Sequence, residues 1–245
     1  MQPVDRGTPF AIPVGVSTVA GQVWGDGPPV YLMHGWAGAG DQLAAFTGAL
    51  TARGHRVVAF DAPSHGRSTA GRHGPRSSSM PEFVDALTAV AAAHGAPHAI
   101  IAHSLGAIAT AVAVVDGLPA GRLVLLAPME SPLSQAWQLA RALGFGERTH
   151  RRLIARVERR VGAPMRHFDL PALGHAVAMP PSLLVHDRDD RSTPVANAAN
   201  IAAAWPGSLL HVTTGLGHVR LLRAPEVVSR VVDFVTREHP AESHR

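Results

Sequence analysis

Ala102-His103-Ser104-Leu105-Gly106 is the stretch on which the fold turns. An apolar run, His98-Ala99-Ile100-Ile101-Ala102, leads into it, and a run of small and β-branched residues, Ala107 to Val115, leads out. That layout reads as strand, sharp turn, helix, with a serine at the turn. Such a nucleophile elbow presents a serine hydroxyl at the end of a sheet strand. The residues two before and two after the serine must be small, because strand and helix nearly touch there. Ala102 and Gly106 meet that need, with Ala102 one methyl larger than the usual glycine.

Working outward, three further segments fall into place. Leu32-Met33-His34-Gly35-Trp36 ends an earlier apolar run. Val185-His186-Asp187-Arg188-Asp189-Asp190 ends a later one, and Gly215-Leu216-Gly217-His218 follows Leu209-Leu210-His211-Val212. The chain order is therefore serine, acid, histidine. With this order, from about Val14 to Val235, the chain resembles the α/β-hydrolase family. Phe60 to Ser68 also matches that family's D-x-P-G-H-G-x-S loop, with Ser64 where glycine is usual.

The alternation of elements supports the same architecture. Strands are expected near Ile12–Val16, Thr18–Trp24, Val30–His34, Arg56–Asp61, Ala99–His103, Leu123–Ala127, Ser182–Val185 and Leu209–Thr213. Helices are expected near Asp41–Arg53, Pro81–His94, Leu105–Val115, Val195–Trp205 and Pro225–Arg237. Strands alternating with helices argue for a parallel sheet covered on both faces. The inner strands are continuous apolar runs, as doubly buried strands should be. The first two alternate more and read as antiparallel edge strands. Asp41 is positioned to cap the first helix, and Pro81 and Pro225 stand at helix starts. Gly54 and Gly95 are placed to end helices.

About fifty residues separate the strands at Ala127 and Ser182, more than a simple crossover needs. The resemblance places a helical lid here, so the core is expected over 1–129 and 182–245 and the lid over 130–181. Two lid helices are expected, Ser134–Leu143 and Glu147–Val161. On the second, Leu153, Val157 and Val161 share one face, while Arg148, Arg152, Arg156 and Arg159 line another. The arginines read first as a solvated face and second as an anion-binding stripe.

A serine hydroxyl needs a base within hydrogen-bond reach, and the base needs a third group to orient it. Ser104 is the candidate nucleophile and His218 the candidate base, in a glycine-rich loop able to reach back over the strand ends. Three aspartates compete as the acid. The family pattern H-G-x-x-D-x-x-V-P, aligned on His186 and Pro194, selects Asp190 and puts Asp187 at the glycine position. Asp189 reads as a solvated neighbour, and Glu130 is a rarer alternative acid. The resemblance assigns the oxyanion donors to the amides of Leu105 and Trp36. Trp36, Trp137, Leu143 and Phe145 are candidate substrate contacts. Asp61 reads as a turn stabiliser, and His34, His65 and His103 as packing or supporting groups.

Composition narrows the classes. The 245 residues are 46% hydrophobic, enough for a sizeable core. The chain has no cysteine, which excludes disulfides, thiolate catalysis and cysteine-ligated metals. The pI of 11.0 beside a net charge of only +4 arises because every basic side chain among the 22 is arginine, so it does not argue for nucleic-acid binding. No apolar run is long enough to span a membrane, and Met1 to Phe10 lacks the features of a secretory leader; a cytoplasmic protein is expected. The expected partner is a small-molecule ester or acyl substrate, with a homodimer left open, and with no nucleic acid, no stable membrane insertion, no cofactor and no metal. The expected reaction is ester hydrolysis through an acyl-enzyme. Within the family the same residues also serve thioesterases, lipases, C–C-bond hydrolases, acyltransferases and perhydrolases. A non-catalytic ligand receptor on this fold is the alternative from another class.

Overall fold

The computed structural model describes residues 7–237. The leader reading of the N-terminus falls largely on residues 1–6, and the expected core also takes in 1–6 and 238–245; these lie outside the described residues.

An eight-stranded sheet runs through the molecule. Its strands are β1 (Thr8–Val14), β2 (Ser17–Trp24), β3 (Pro29–Met33), β4 (Arg56–Phe60), β5 (Ala99–His103), β6 (Leu123–Leu126), β7 (Ser182–Asp187) and β8 (Leu209–Thr213). Their spatial order is β1-β2-β4-β3-β5-β6-β7-β8; the β1–β2 and β2–β4 pairs are antiparallel and the pairs among β3 to β8 parallel. β1 is an edge, as expected, but β2 is not: it pairs with β1 on one side and β4 on the other. β1 also stops earlier than its apolar pattern suggests. Val14 pairs with Ser17, leaving Gly15-Val16 as a two-residue turn with Gly15 at φ 58°, the conformation the first position of such hairpins favours.

The helices are α1 (Thr47–Thr51), α2 (Met80–His94), α3 (Leu105–Val115), α4 (Pro132–Ala142), α5 (Glu147–Val161), α6 (Leu170–Ala176), α7 (Ala196–Ala204), α8 (Gly217–Arg220) and α9 (Pro225–Thr236). The single helix expected over Asp41–Arg53 is instead a 3-10 segment, Gly40–Phe46, followed by the short α1. Asp41 does not cap it. The amide of Gly40 is taken by Asp61 Oδ1 at 2.6 Å, a carboxylate delivered from the end of β4. The pull of that buried acceptor on the chain sets the local geometry, which Asp41 in the first turn does not.

Two cores flank the sheet, and β5 shows how they are built. Ile100 and Ala102 point into one core with residues of α2, α3, α6 and α7. Ala99 and Ile101 point into the other with Phe46, α1 and α9. The period-two alternation of a strand serves both faces at once.

Between β6 and β7 the chain makes its longest excursion. α4 and α5 are joined there by a 3-10 turn, Met165–Phe168, to α6. The expectation of two helices omits α6. Met165, Phe168, Leu170 and Leu173 are buried in the α3-side core, and Gly174 lies against the Trp205 ring. Leu133 of α4 and Ile154, Val157 and Val161 of α5 pack against the same core, partly buried. On α5 the inward face is His150, Ile154, Val157 and Val161. Leu153, placed on that face by the sequence pattern, is 42% exposed. His150 lies under Trp137, the two rings stacked at 3.7 Å, which rotates the helix so that Ile154 turns inward. No helix among the described residues is long and apolar enough to cross a membrane.

Candidate active site

Ser104 sits between β5 and α3 with φ 51° and ψ −116°. L-residues rarely adopt this conformation, and it persists only where surrounding packing enforces it. Gly106 provides part of that enforcement: a Cβ there would run into the carbonyl of His34 at the end of β3. The small residue two after the serine is therefore required by contact, while the extra methyl of Ala102, two before it, is absorbed in the core.

The three expected groups come together. Ser104 Oγ lies 3.1 Å from His218 Nε2. His218 Nδ1 lies 2.7 Å from Asp190 Oδ2. A carboxylate only accepts, so Nδ1 carries the proton and Nε2 offers its lone pair to the serine hydroxyl.

Asp190 is held by many donors. Its Oδ1 accepts from the amides of Ser192 (2.7 Å) and Thr193 (2.9 Å). Its Oδ2 also accepts from the Thr193 hydroxyl (3.0 Å) and faces His186 Nε2 at 3.3 Å. Burial alone would raise its pKa, but the hydrogen bonds from His186, His218 and the Thr193 amide outweigh burial and hold it well below the usual carboxylate range.

The competing acids have other work. Asp187 is fully buried and accepts from the Asp189 and Gly217 amides at Oδ1 and from the Thr213 hydroxyl and Leu216 amide at Oδ2. It thereby fastens the loop that carries His218 to the end of β7, which explains a carboxylate at the motif's glycine position. Burial pushes its pKa up, but these four donors bring it below the usual range. Asp189, read as a solvated neighbour, is exposed, yet it also accepts from the Gly215 amide at 2.8 Å. Glu130 takes the side-chain amide of Asn200 at 2.8 Å.

Around this line of groups a second network joins the surrounding loops. The amide of Gly35 donates to Gln42 Oε1 at 3.1 Å, which also faces His103 Nδ1 at 3.2 Å. His103 Nε2 faces the carbonyl of His218 at 3.1 Å. Burial pushes His103 down to about 3, with the neighbouring His218 adding to the effect, so its ring is neutral. His34 accepts the Ala62 amide at Nε2 (2.9 Å) and is pushed down to about 4 by burial. The sequence reading placed His103 and His34 as supporting groups but missed Gln42, for which no motif gives a signal. Asp61 serves the turn after β4 as expected, holding the amides of Gly40 and Arg67. Ser64, at the family's glycine position, has φ 64°, and its hydroxyl ties the Gly71–Gly74 turn by accepting from Gly71 and donating to Gly74.

The amides of Trp36 and Leu105 are given to no acceptor among the described residues. The Trp36 side chain is half exposed and borders a cleft of about 300 Å³ with His65 and Arg76. Trp137 faces a hollow on α4 with Ser134, Gln138 and Arg141 while its ring stacks on His150. Leu143 and Phe145 stand exposed between α4 and α5. The described residues contain no group of three or more His, Asp or Glu arranged to hold a metal ion.

Comparison with known proteins agrees with this fold. An esterase from Rhodococcus sp. ECU1013 superposes with a TM-score of 0.71 at 19% identity, covering 94% of this chain and 98% of that one. An esterase from Exiguobacterium antarcticum gives 0.71 at 15% identity, covering 93% and 99%. Proline iminopeptidase from Mycobacterium smegmatis gives 0.68 at 18% identity, covering 93% and 97%. No curated protein matches by sequence. The model of the alpha/beta hydrolase family matches residues 30–231, and the chain belongs to that family.

Proposed function

We propose that the protein is a serine hydrolase that cleaves a carboxylic ester through an acyl-enzyme. The observation that carries this reading is the unbroken line Ser104 Oγ, His218, Asp190, with contacts of 3.1 and 2.7 Å. His218 Nε2 takes the proton as Ser104 Oγ bonds to the ester carbonyl carbon. The resulting oxyanion is held by the amides of Leu105 and Trp36, each contributing on the order of 3 kcal/mol to the transition state. His218 then gives the proton to the departing alcohol oxygen as the C–O bond breaks. Water repeats the sequence on the acyl-enzyme, giving its proton to His218, and returns Ser104 with the free acid. Asp190 keeps the proton of His218 on Nδ1 throughout and stabilises the imidazolium. α4 and α5 act as a lid over the strand ends, with the Trp36 side chain meeting the substrate from below and Trp137, Leu143 and Phe145 offering apolar surface from the lid.

Intact-mass spectrometry after treatment with a fluorophosphonate tests the reading. One adduct on the wild type, absent from Ser104→Ala, is expected. Unmodified wild-type protein with a folded circular-dichroism spectrum would overturn it. A p-nitrophenyl ester series of increasing acyl length then defines the acyl preference.

A further inference from the structure

The structure has a cleft of about 830 Å³ beside His218. Its wall includes Arg188, Arg191 and Arg220, with Asp189, Ser192 and His218 itself. We propose that this cleft is a subsite for an anionic group, a carboxylate or a phosphate, carried by the substrate; the proposal rests on the hydrolase reading above.

The arginines come from the two loops that hold the reacting groups. Arg188 and Arg191 flank Asp190 in sequence, and Arg220 lies two residues beyond His218. Anything held by them is therefore kept at the border of the base. Among the described residues, none of the three guanidinium groups has a carboxylate within ion-pair distance. Arg220 Nη2 donates to the carbonyl of Gly215 at 2.7 Å, and the side chains of Arg188 and Arg191 donate to nothing among the described residues.

The carboxylates in the same wall are already engaged. Asp190 serves His218, Thr193 and Ser192, and Asp189 Oδ2 accepts from Gly215. Cations thus exceed the available anions in a concave site, and most of their planar N–H donors are unused. That donor set matches the paired oxygens of a carboxylate or phosphate. The arginine stripe of α5 is different. Arg148, Arg152, Arg156 and Arg159 are exposed on a helix and none of them lines this cleft.

The test compares kcat/KM for p-nitrophenyl butyrate, which is neutral, and mono-p-nitrophenyl glutarate, whose acyl chain ends in a carboxylate. Wild type is set beside Arg188→Gln/Arg191→Gln and beside Arg220→Gln, with thermal unfolding as the control for folding. The ratio of anionic to neutral kcat/KM is expected to fall at least tenfold in the double variant, chiefly through KM. A fall in both substrates by the same factor is what a merely structural role predicts, and it would overturn the proposal. Inhibition by glutarate and by inorganic phosphate separates the two anion classes.

If the fluorophosphonate leaves the folded wild type unmodified, the hydrolase reading fails, and the subsite is read separately by calorimetric titration of glutarate and phosphate. Heat of binding in the wild type that is lost in the double variant supports the subsite. No heat in the wild type overturns it.

Discussion

Asp190→Asn is the substitution that most sharply separates the roles assigned to the two buried acids. The amides of Ser192 and Thr193 converge on Oδ1 at 2.7 and 2.9 Å. Because they are main-chain donors they stay where they are, and the single oxygen of asparagine remains facing them. The new NH2 group then occupies the place of Oδ2, opposite His218 Nδ1. Two donors cannot share that contact, so the imidazole shifts its proton to Nε2, the nitrogen that faces Ser104 Oγ. The base is thereby blocked and the imidazolium loses its counter-charge. The Thr193 hydroxyl can rotate to accept, and His186 keeps the Thr193 carbonyl at 2.9 Å, so the fold is spared. By analogy with the same change in a well-studied triad, kcat falls about 10⁴-fold, or about 5 kcal/mol. Steady-state hydrolysis of p-nitrophenyl acetate at pH 8 measures it, with urea unfolding alongside. Asp187→Asn serves as the contrast. It disturbs four donors that fasten the His218 loop, so its main effect is lost stability, about 1–3 kcal/mol, with kcat reduced on the order of tenfold by the loosened loop. The reasoning is refuted if folded Asp190→Asn retains more than a tenth of wild-type kcat, or if Asp187→Asn is the more damaging to kcat.

Other consequences follow from the same geometry. His34 and His103 are held neutral in the folded state, at about 4 and about 3 against an ordinary 6.5. Between pH 6.5 and those values the unfolded chain binds more protons, so stability is full above about 6.5 and declines as pH falls through this window. From pH 6.5 to 5 each histidine costs about 2 kcal/mol. The urea midpoint should drop accordingly at constant m, and a flat profile over this range would contradict the assignment. Gly106→Ala drives a methyl into the His34 carbonyl, and overpacking of this kind costs about 1–3 kcal/mol; an unchanged thermal midpoint with full activity would show that α3 can shift away freely. Ser104→Gly should be more stable than Ser104→Ala by about 1 kcal/mol, because only glycine relaxes the backbone strain at φ 51°. Both variants should be inactive, and equal unfolding midpoints would show that the elbow stores no strain.

Much of this site is written locally, and what is not has identifiable causes. The elbow, β5 and β8 are legible end to end, because a short apolar run, a serine between small residues and a following helix leave few alternatives. His218 is legible because glycines and chain order isolate it. Among Asp187, Asp189 and Asp190 only the family pattern selects Asp190, whereas the work of Asp187 depends on where the His218 loop lands in space. Asp41 loses its capping role to Asp61, a residue on another element. α6 escapes detection because seven residues show too little periodicity, and its place is set by Trp205 and the α3 side of the core. The phase of α5 is ambiguous in sequence, since Leu153 and Ile154 are both apolar, and the stacked Trp137 and His150 rings decide it. Gln42 has no local signature; only the meeting of Gly35, His103 and the His218 loop gives it a role.

The alternation of β5 between the two cores has a practical consequence for handling the protein. A one-residue slip of this strand would exchange its two faces and move Ser104 to the wrong side of the turn. It would also misplace every apolar side chain from Ala99 to Ala102. Such a species loses both packing layers together and is driven towards aggregation rather than persisting as a soluble, inactive form. As the nucleophile of the proposed reaction, Ser104 would thus serve as a built-in reporter of correct assembly. Titration with a serine-reactive probe counts the natively folded fraction of a preparation, and specific activity per labelled site should stay constant from batch to batch even when yield does not.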